Sequence, residues 1–234
     1  MENKEHLPLY NAYWEALHGP HREIANITDL ACVYKDQYYS FAAVKENTEK
    51  AYRELASIVK PGRRIALREI GKTVDYDEWN HLASPLGVRM VLDDTINVPD
   101  LPYEQLVESD IPDIISLSKL SSHVEELNQA KIRIGDFYGI REDGRVVAMA
   151  GERTQLEGYS EVSGVVTHPD YRKRGYGGGL TLFKCRQVQE RGKIPFLGVI
   201  EENDGAVRLY HKLGFKTLYT AHLDILQRTE VNVL

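Results

Sequence analysis

The chain is poor in cysteine, methionine and tryptophan, with two, three and two of them in 234 residues. The two cysteines, Cys32 and Cys185, stand far apart in the chain with no metal-type spacing. Neither a disulfide scaffold nor a thiolate metal site is expected, and a reducing, cytoplasmic setting fits. No run of about 18 apolar residues occurs, so no segment is expected to span a membrane. The opening Met1–His6 has neither the basic segment nor the apolar stretch of a secretion signal. Charge of one sign is not in large excess either: the formal net charge is −6 and the pI about 5.8. That balance argues against a general nucleic-acid or membrane-surface binder. A weak pull on cationic amines and plain solubility are both compatible with it. Internal repeats and low-complexity tracts are missing, as are a Gly-Lys-Ser/Thr phosphate loop, a Ser-His-Asp pattern and metal-ligand spacing.

What remains is a composition of 42% hydrophobic and 27% charged residues, ordinary for a globular protein. The length allows one large domain or two modest ones, each with a real core. In the first half, Asn11–Leu17 reads as a helix ended by Gly19-Pro20. Asn47 is a candidate cap for a helix over about 48–59, whose Ala51, Tyr52, Leu55, Ile58 and Val59 form one apolar stripe; Lys60-Pro61-Gly62 stops it. Leu30–Tyr34, Arg64–Arg68 and Gly87–Leu92 read as strands. The tyrosines and tryptophans of this half suit a core or an interface better than a cofactor box. Asp93-Asp94, Pro99 and Pro102 mark a boundary, giving an N-terminal α/β domain over 1–102 and a second domain over 103–234.

Beyond the boundary, Ser109 or Asp110 is placed to cap a helix that turns Ile111, Ile114, Ile115 and Leu117 inward. Residues 121–136 are polar and give no clear pattern. The run Phe137–Arg141, the turn Glu142-Asp143-Gly144-Arg145 and the run Val146–Arg153 predict a hairpin, since Asp-Gly is a strong turn signal. Tyr159–Thr167 predicts a third strand, closed by His168-Pro169. A helix over about 178–191, stopped by Gly192, leads to the apolar run Ile194–Ile200, which suits a buried strand. A short helix over 206–213 ends at Gly214, and Lys216–Leu226 is rich in strand formers.

The chemistry concentrates between Glu161 and Phe215. Arg172, Lys173, Arg174, Gly175, Tyr176, Gly177 and Gly178 lie between a strand pattern and an amphipathic helix. Gly175 and Gly177 permit dihedrals or close approaches that a Cβ would obstruct. The amides that follow, the cations and the helix N-terminus then converge on one point, which suits a pyrophosphate. The spacing is not a dinucleotide fingerprint, which would need glycine where Leu180 stands. A glycine-rich turn that only reverses the chain, with its basic residues solvated, fits the loop by itself equally well.

The flanking residues point further. Val165 to Gly178 resembles the acetyl-coenzyme A motif of the GNAT superfamily of N-acetyltransferases, in which Arg or Gln, two residues, Gly, one residue and Gly or Ala mark the pyrophosphate loop; Arg172, Gly175 and Gly177 satisfy it. Asn203, Ala206, Leu209, Tyr210, Leu213, Gly214 and Phe215 resemble the family's next motif at the same spacing. The resemblance covers roughly residues 106–226, and more loosely the whole chain is similar to tandem GNAT proteins with an extra N-terminal half. It implies an α/β (α+β) GNAT fold, a mixed, mostly antiparallel sheet flanked by helices, with a degenerate GNAT-like half in front.

The resemblance also implies that Tyr159–Thr167 and Ile194–Ile200 splay to admit pantetheine, with Gly164 a candidate bulge. The backbone of Val165, Val166 and Thr167 would pair with the pantetheine amides, and one of those N–H groups would hold the oxyanion. Tyr210 would protonate the leaving thiolate, and Asn203 would bind the cofactor. Glu161 stands at the offset where several members carry a glutamate base, and a partly apolar cleft would raise its pKa toward neutrality; a surface glutamate is the alternative, as packing is for Tyr210. Glu201 and Glu202 are competing carboxylates.

The expected activity is transfer of acetyl from acetyl-CoA directly to a primary amine of a small molecule, peptide or protein. The rival is an acyl-CoA-binding regulator or sensor without turnover. A further option makes the N-terminal half an interaction module that selects a protein substrate. Expected partners are acetyl-CoA and an amine acceptor, with no metal, nucleic acid or membrane, and with a homodimer left open.

Overall fold

The computed structural model describes residues 6–69, 76–94, 96–121 and 126–230. In chain order it runs α1 (Ala12–His18), β1 (Ala25–Ile27), β2 (Ala31–Tyr34), β3 (Phe41–Val44), α2 (Glu49–Ile58), β4 (Arg64–Glu69), β5 (Trp79–Ala83) and β6 (Leu86–Val91). It continues with β7 (Glu104–Gln105), α3 (Ile111–Ser118), α4 (Gln129–Ile134), β8 (Tyr138–Glu142), β9 (Arg145–Leu156) and β10 (Tyr159–Thr167). The last elements are α5 (Tyr176–Glu190), β11 (Ile194–Ile200), α6 (Asp204–Lys212) and β12 (Lys216–Arg228). Among strand pairs with a described register, β3–β4 and β10–β11 are parallel and the others antiparallel. This is the expected mixed, mostly antiparallel sheet flanked by helices.

Contacts divide the chain into two compact units, Met1–Gly87 with Thr220–Leu234, and Val88–Tyr219. The sequence boundary at 93–102 does not coincide with this division, which gives Val88–Leu92 to the second unit and the chain's last segment to the first. The reason lies in backbone pairing: the Leu92 N–H donates to the Pro195 carbonyl (3.0 Å), and residues 222–227 pair with β4.

In the first unit the strand order is β1-β2-β3-β4-β12, with β5 also on β12. The α2 stripe forms as the periodicity requires, burying Ala51, Tyr52, Leu55 and Ala56 against Val33, Ile65, Leu67, Trp79 and Leu226. Its cap is Thr48 rather than Asn47: the Thr48 side chain accepts from the Ala51 N–H (3.4 Å).

In the second unit the order is β7-β8-β9-β10-β11-β6. The predicted β8–β9 hairpin forms, with Asp143 (φ 49°) and Gly144 (φ 77°) both left-handed as a two-residue turn of this kind needs. Successive β10 residues face opposite ways. Val165 packs beside α5 residues, whereas Val166 joins Ile114, Leu117 and Ile132 of α3 and α4. In the ambiguous stretch 121–136, residues 122–125 lie outside the described residues, and the remainder contains α4, capped by Asn128 through the Lys131 N–H (3.0 Å). A buried ionic knot fixes α5 to the sheet: Lys184 reaches Glu152 (2.9 Å) and Asp136 (2.6 Å), and Glu152 also accepts from Arg191 (2.6 Å) and Ser160 (2.5 Å).

Candidate active site

The site begins where two strands part. β10 and β11 are in parallel register only at Tyr159↔Ile194, Ser160↔Pro195 and Glu161↔Phe196, although both run on beyond that point. The parting coincides with a bulge on the other side of β10. Against β9, Ser163 pairs with Gly151 and Val166 with Met149, so Gly164 and Val165 together oppose Ala150. Gly164 takes φ 63°, and a Cβ there would lie 2.8 Å from the Phe137 ring. A Cβ on Gly135 or Gly151 would also strike that ring. Phe137 is thus seated in a cup of three glycines, and the cup leaves β10 room to kink.

Downstream of the bulge, β10 delivers Val165, Val166 and Thr167 to the loop. Pro169–Tyr171 form a 3-10 turn, Lys173 (φ 63°) and Gly175 (φ 83°) are both left-handed, and α5 starts at Tyr176. The amides of Tyr176, Gly177 and Gly178 therefore occupy the first turn of a 15-residue helix, where backbone donors are not consumed within the helix. Gly177 packs closely on β10, since a Cβ would stand 3.2 Å from Thr167 Oγ1. The Arg172 Nε donates to the Thr167 carbonyl (3.3 Å), and the Arg174 guanidinium lies 4.8 Å from the Tyr171 ring centre. Arg172, Lys173, Arg174 and Gly175 are exposed.

The second sequence motif forms α6. Asn203 caps it, its side-chain oxygen accepting from the Ala206 N–H (3.4 Å). Tyr210 is half-buried, edge-on to Phe215 (5.8 Å between centres), and packs on the cluster that contains Val162, Cys185, Leu197 and Val199. Burial first, and Cys185 second, push its phenol up to about 12, so it holds its proton at neutral pH. Cys185 is fully buried and its thiol is pushed up by burial. Glu201 and Glu202 are exposed turn residues, and the ring nitrogens of His168 and His211 meet the Asp170 N–H (3.3 Å) and the Phe215 carbonyl (3.2 Å).

Glu161 corrects the sequence reading. Its carboxylate is fully buried and clamped by two guanidiniums: Arg153 Nη2 to Oε1 (2.7 Å), Arg153 Nε to Oε2 (3.0 Å) and Arg89 Nη1 to Oε1 (3.1 Å). Burial alone would raise its pKa, but Arg153 and then Arg89 overcome that and bring it down to about 2, not up toward neutrality. A carboxylate so held is a poor proton acceptor at neutral pH. Arg89 and Arg153 are the residues that sequence reasoning missed. The available signal was an arginine inside the apolar run Gly87–Leu92, a charge that had to be paired if buried.

Among the described residues no group of His, Cys, Asp and Glu could hold a metal ion, and no helix is long and apolar enough to cross a membrane.

Residues 137–223 match the family model described as FR47-like protein. No curated protein matches the chain by sequence. Among solved structures, a GNAT-family protein from Novosphingobium aromaticivorans DSM 12444 is 30% identical, with TM-score 0.86 over 95% of this chain and 99% of that one. A GCN5-related N-acetyltransferase from Kribbella flavida shares the fold at 18% identity, with TM-score 0.63 over 95% and 97%. A tandem GNAT protein from the clavulanic acid biosynthesis pathway does so at 14% identity, with TM-score 0.55 over 85% and 79%. Parted parallel strands, a glycine loop at a helix N-terminus and a full-length relative at 30% identity agree: the chain belongs to the GNAT family of acetyltransferases.

Proposed function

We propose that this protein transfers acetyl from acetyl-CoA directly to a primary amine of a small molecule, peptide or protein. The observation that carries the reading is the parting of β10 from β11 after Glu161↔Phe196, beside the N-terminus of α5. Pantetheine would enter as a short added strand along Val165–Thr167. The pyrophosphate would rest on the amides of the Gly175–Gly178 turn, with Arg172, Lys173 and Arg174 supplying charge. Asn203 accepts from its own helix through its oxygen, which leaves its amide N–H groups to serve the cofactor.

In the reaction the amine nitrogen attacks the thioester carbon, and the carbonyl oxygen becomes an oxyanion beside the β10 amides. Collapse breaks the C–S bond, and the sulfur leaves as thiolate while the nitrogen loses a proton. A phenol with a pKa near 12 is a weaker acid than a thiol at roughly 8.5. Tyr210 therefore stabilises the thiolate by hydrogen bonding more than by complete proton transfer. Glu161 stays ionised and paired, so the ammonium proton of the acceptor leaves to water.

We also infer that the first unit is a degenerate GNAT half without a cofactor site of its own. Its β3–α2–β4 segment repeats the strand, helix and parallel strand of β10–α5–β11, but the connection over 45–48 holds no glycine. A reducing, cytoplasmic setting belongs to the same reading, supported by two free and buried cysteines. The test is to titrate acetyl-CoA by calorimetry and to screen amine pools for thiol release. Absence of acetyl-CoA binding refutes the reading; tight binding without thiol release from any amine class would make the protein a binder, not an enzyme.

A further inference from the structure

We propose that Glu142 is a positioning residue for the cofactor loop, acting through Tyr176 to hold the first turn of α5 in place. The proposal rests on the acetyl-CoA reading above. Glu142 is the last residue of β8, at the hairpin turn, and belongs to neither sequence motif. Its carboxylate Oε1 accepts from the Tyr176 hydroxyl, and Tyr176 is the first residue of α5. The pKa of that phenol is raised, chiefly by the bond to Glu142 and against the effect of Arg174 nearby. The Arg174 guanidinium lies over the Tyr171 ring at 4.8 Å, and that ring meets His168 edge-on at 5.8 Å. The exposed Arg174 thus lies over an aromatic face, two residues before a helix-opening tyrosine that is tied to the hairpin.

A carboxylate beside an anion-binding helix N-terminus is electrostatically adverse to a pyrophosphate. The geometry gives it a compensating role. It fixes the ring of the residue that opens α5, and so holds in place the first turn of amides, whose freedom would otherwise be lost on binding. Charge and tether make opposite demands on Glu142, and substitution separates them. Glutamine keeps an acceptor oxygen for the phenol without the charge, whereas alanine removes both.

The experiment measures affinity of the full chain for acetyl-CoA and for S-acetyl-pantetheine, which lacks the pyrophosphate. Tyr176→Phe and Glu142→Ala are each expected to weaken acetyl-CoA binding by about tenfold. The double variant should lose no more than either single one. Glu142→Gln should bind as wild type or more tightly, and S-acetyl-pantetheine should bind equally to all. Acetyl-CoA affinity in Glu142→Ala equal to or above wild type would overturn the proposal, leaving the carboxylate a mere repulsive neighbour. So would a parallel loss for S-acetyl-pantetheine, which would mark general damage to the fold. Wild type that binds no acetyl-CoA would instead refute the underlying reading, and the proposal with it.

Discussion

Arg153 grips Glu161 with both edges of the pair engaged, Nη2 to Oε1 at 2.7 Å and Nε to Oε2 at 3.0 Å, and Arg89 closes on the same carboxylate at 3.1 Å. The residue that the motif offers as a base is in this chain a structural anion between two strands. Glu161→Gln should therefore leave the pH profile of turnover unchanged while lowering stability by roughly 3–5 kcal/mol, because two guanidiniums lose their counter-charge. Urea unfolding and a pH–rate series measure the two effects. A selective loss of activity at low pH with normal stability would restore the base role.

The same clamp sets an acid limit. The Glu161 pKa falls from 4.5 to about 2 on folding, so its contribution is complete above the unfolded value and is lost as pH drops through the folded one. That contribution is about 3 kcal/mol. Denaturant midpoints between pH 5 and 2 should fall in wild type and much less steeply in Glu161→Gln. Parallel curves would show that Glu161 is not the titrating group.

Tyr210→Phe removes a hydroxyl and keeps the ring that meets Phe215. We expect kcat to fall roughly 10- to 100-fold with acetyl-CoA affinity within about twofold, since the hydrogen bond strengthens only as the thiolate forms. Stopped-time thiol release and calorimetry separate the two. Wild-type kcat in this variant would return Tyr210 to packing alone.

Gly177→Glu places a carboxylate where even a Cβ would meet Thr167 Oγ1 at 3.2 Å. Acetyl-CoA affinity should drop by about 100-fold or more, from bulk and like charge together. Wild type should titrate to one cofactor equivalent per chain. A second equivalent that survives Gly177→Glu would locate a site in the first unit.

Gly164→Ala combines a left-handed φ of 63° with a contact at 2.8 Å to Phe137, and a cost of roughly 2–4 kcal/mol is expected. Gly144→Ala, at φ 77° with nothing within 4 Å, supplies the strain alone and should cost about 1 kcal/mol. Thermal melts of both variants test the three-glycine cup; equal losses would remove steric packing from the account.

Local chemistry made the second unit readable. The Asp-Gly turn, the glycine loop and Asn203 each act within a few residues, and β10 and β11 have the bounds that periodicity gave them. Gly164 was legible as a bulge because a glycine inside a strand pattern has few other uses. The clamp on Glu161 was not, because Arg89 lies 72 positions away and only the folded sheet brings it near. The four-residue β3, the largely exposed β5 and the six-residue α4 escaped for another reason: each is too short or too exposed for its own pattern to exceed that of a loop. At α2, Asn47 and Thr48 are both good caps, and only backbone geometry chose Thr48.

The pairing of β4 with residues 222–227 has a consequence during synthesis. A chain emerging from the ribosome presents α1, β1–β4 and α2 first, but the strand that covers the open edge of β4 follows the whole of the second unit. Until residues 222–227 emerge, the first unit holds an unsatisfied edge at Arg64–Glu69, open to pairing with other chains. Vectorial folding is thereby closed to it: the first unit completes its sheet only after the second unit has been made.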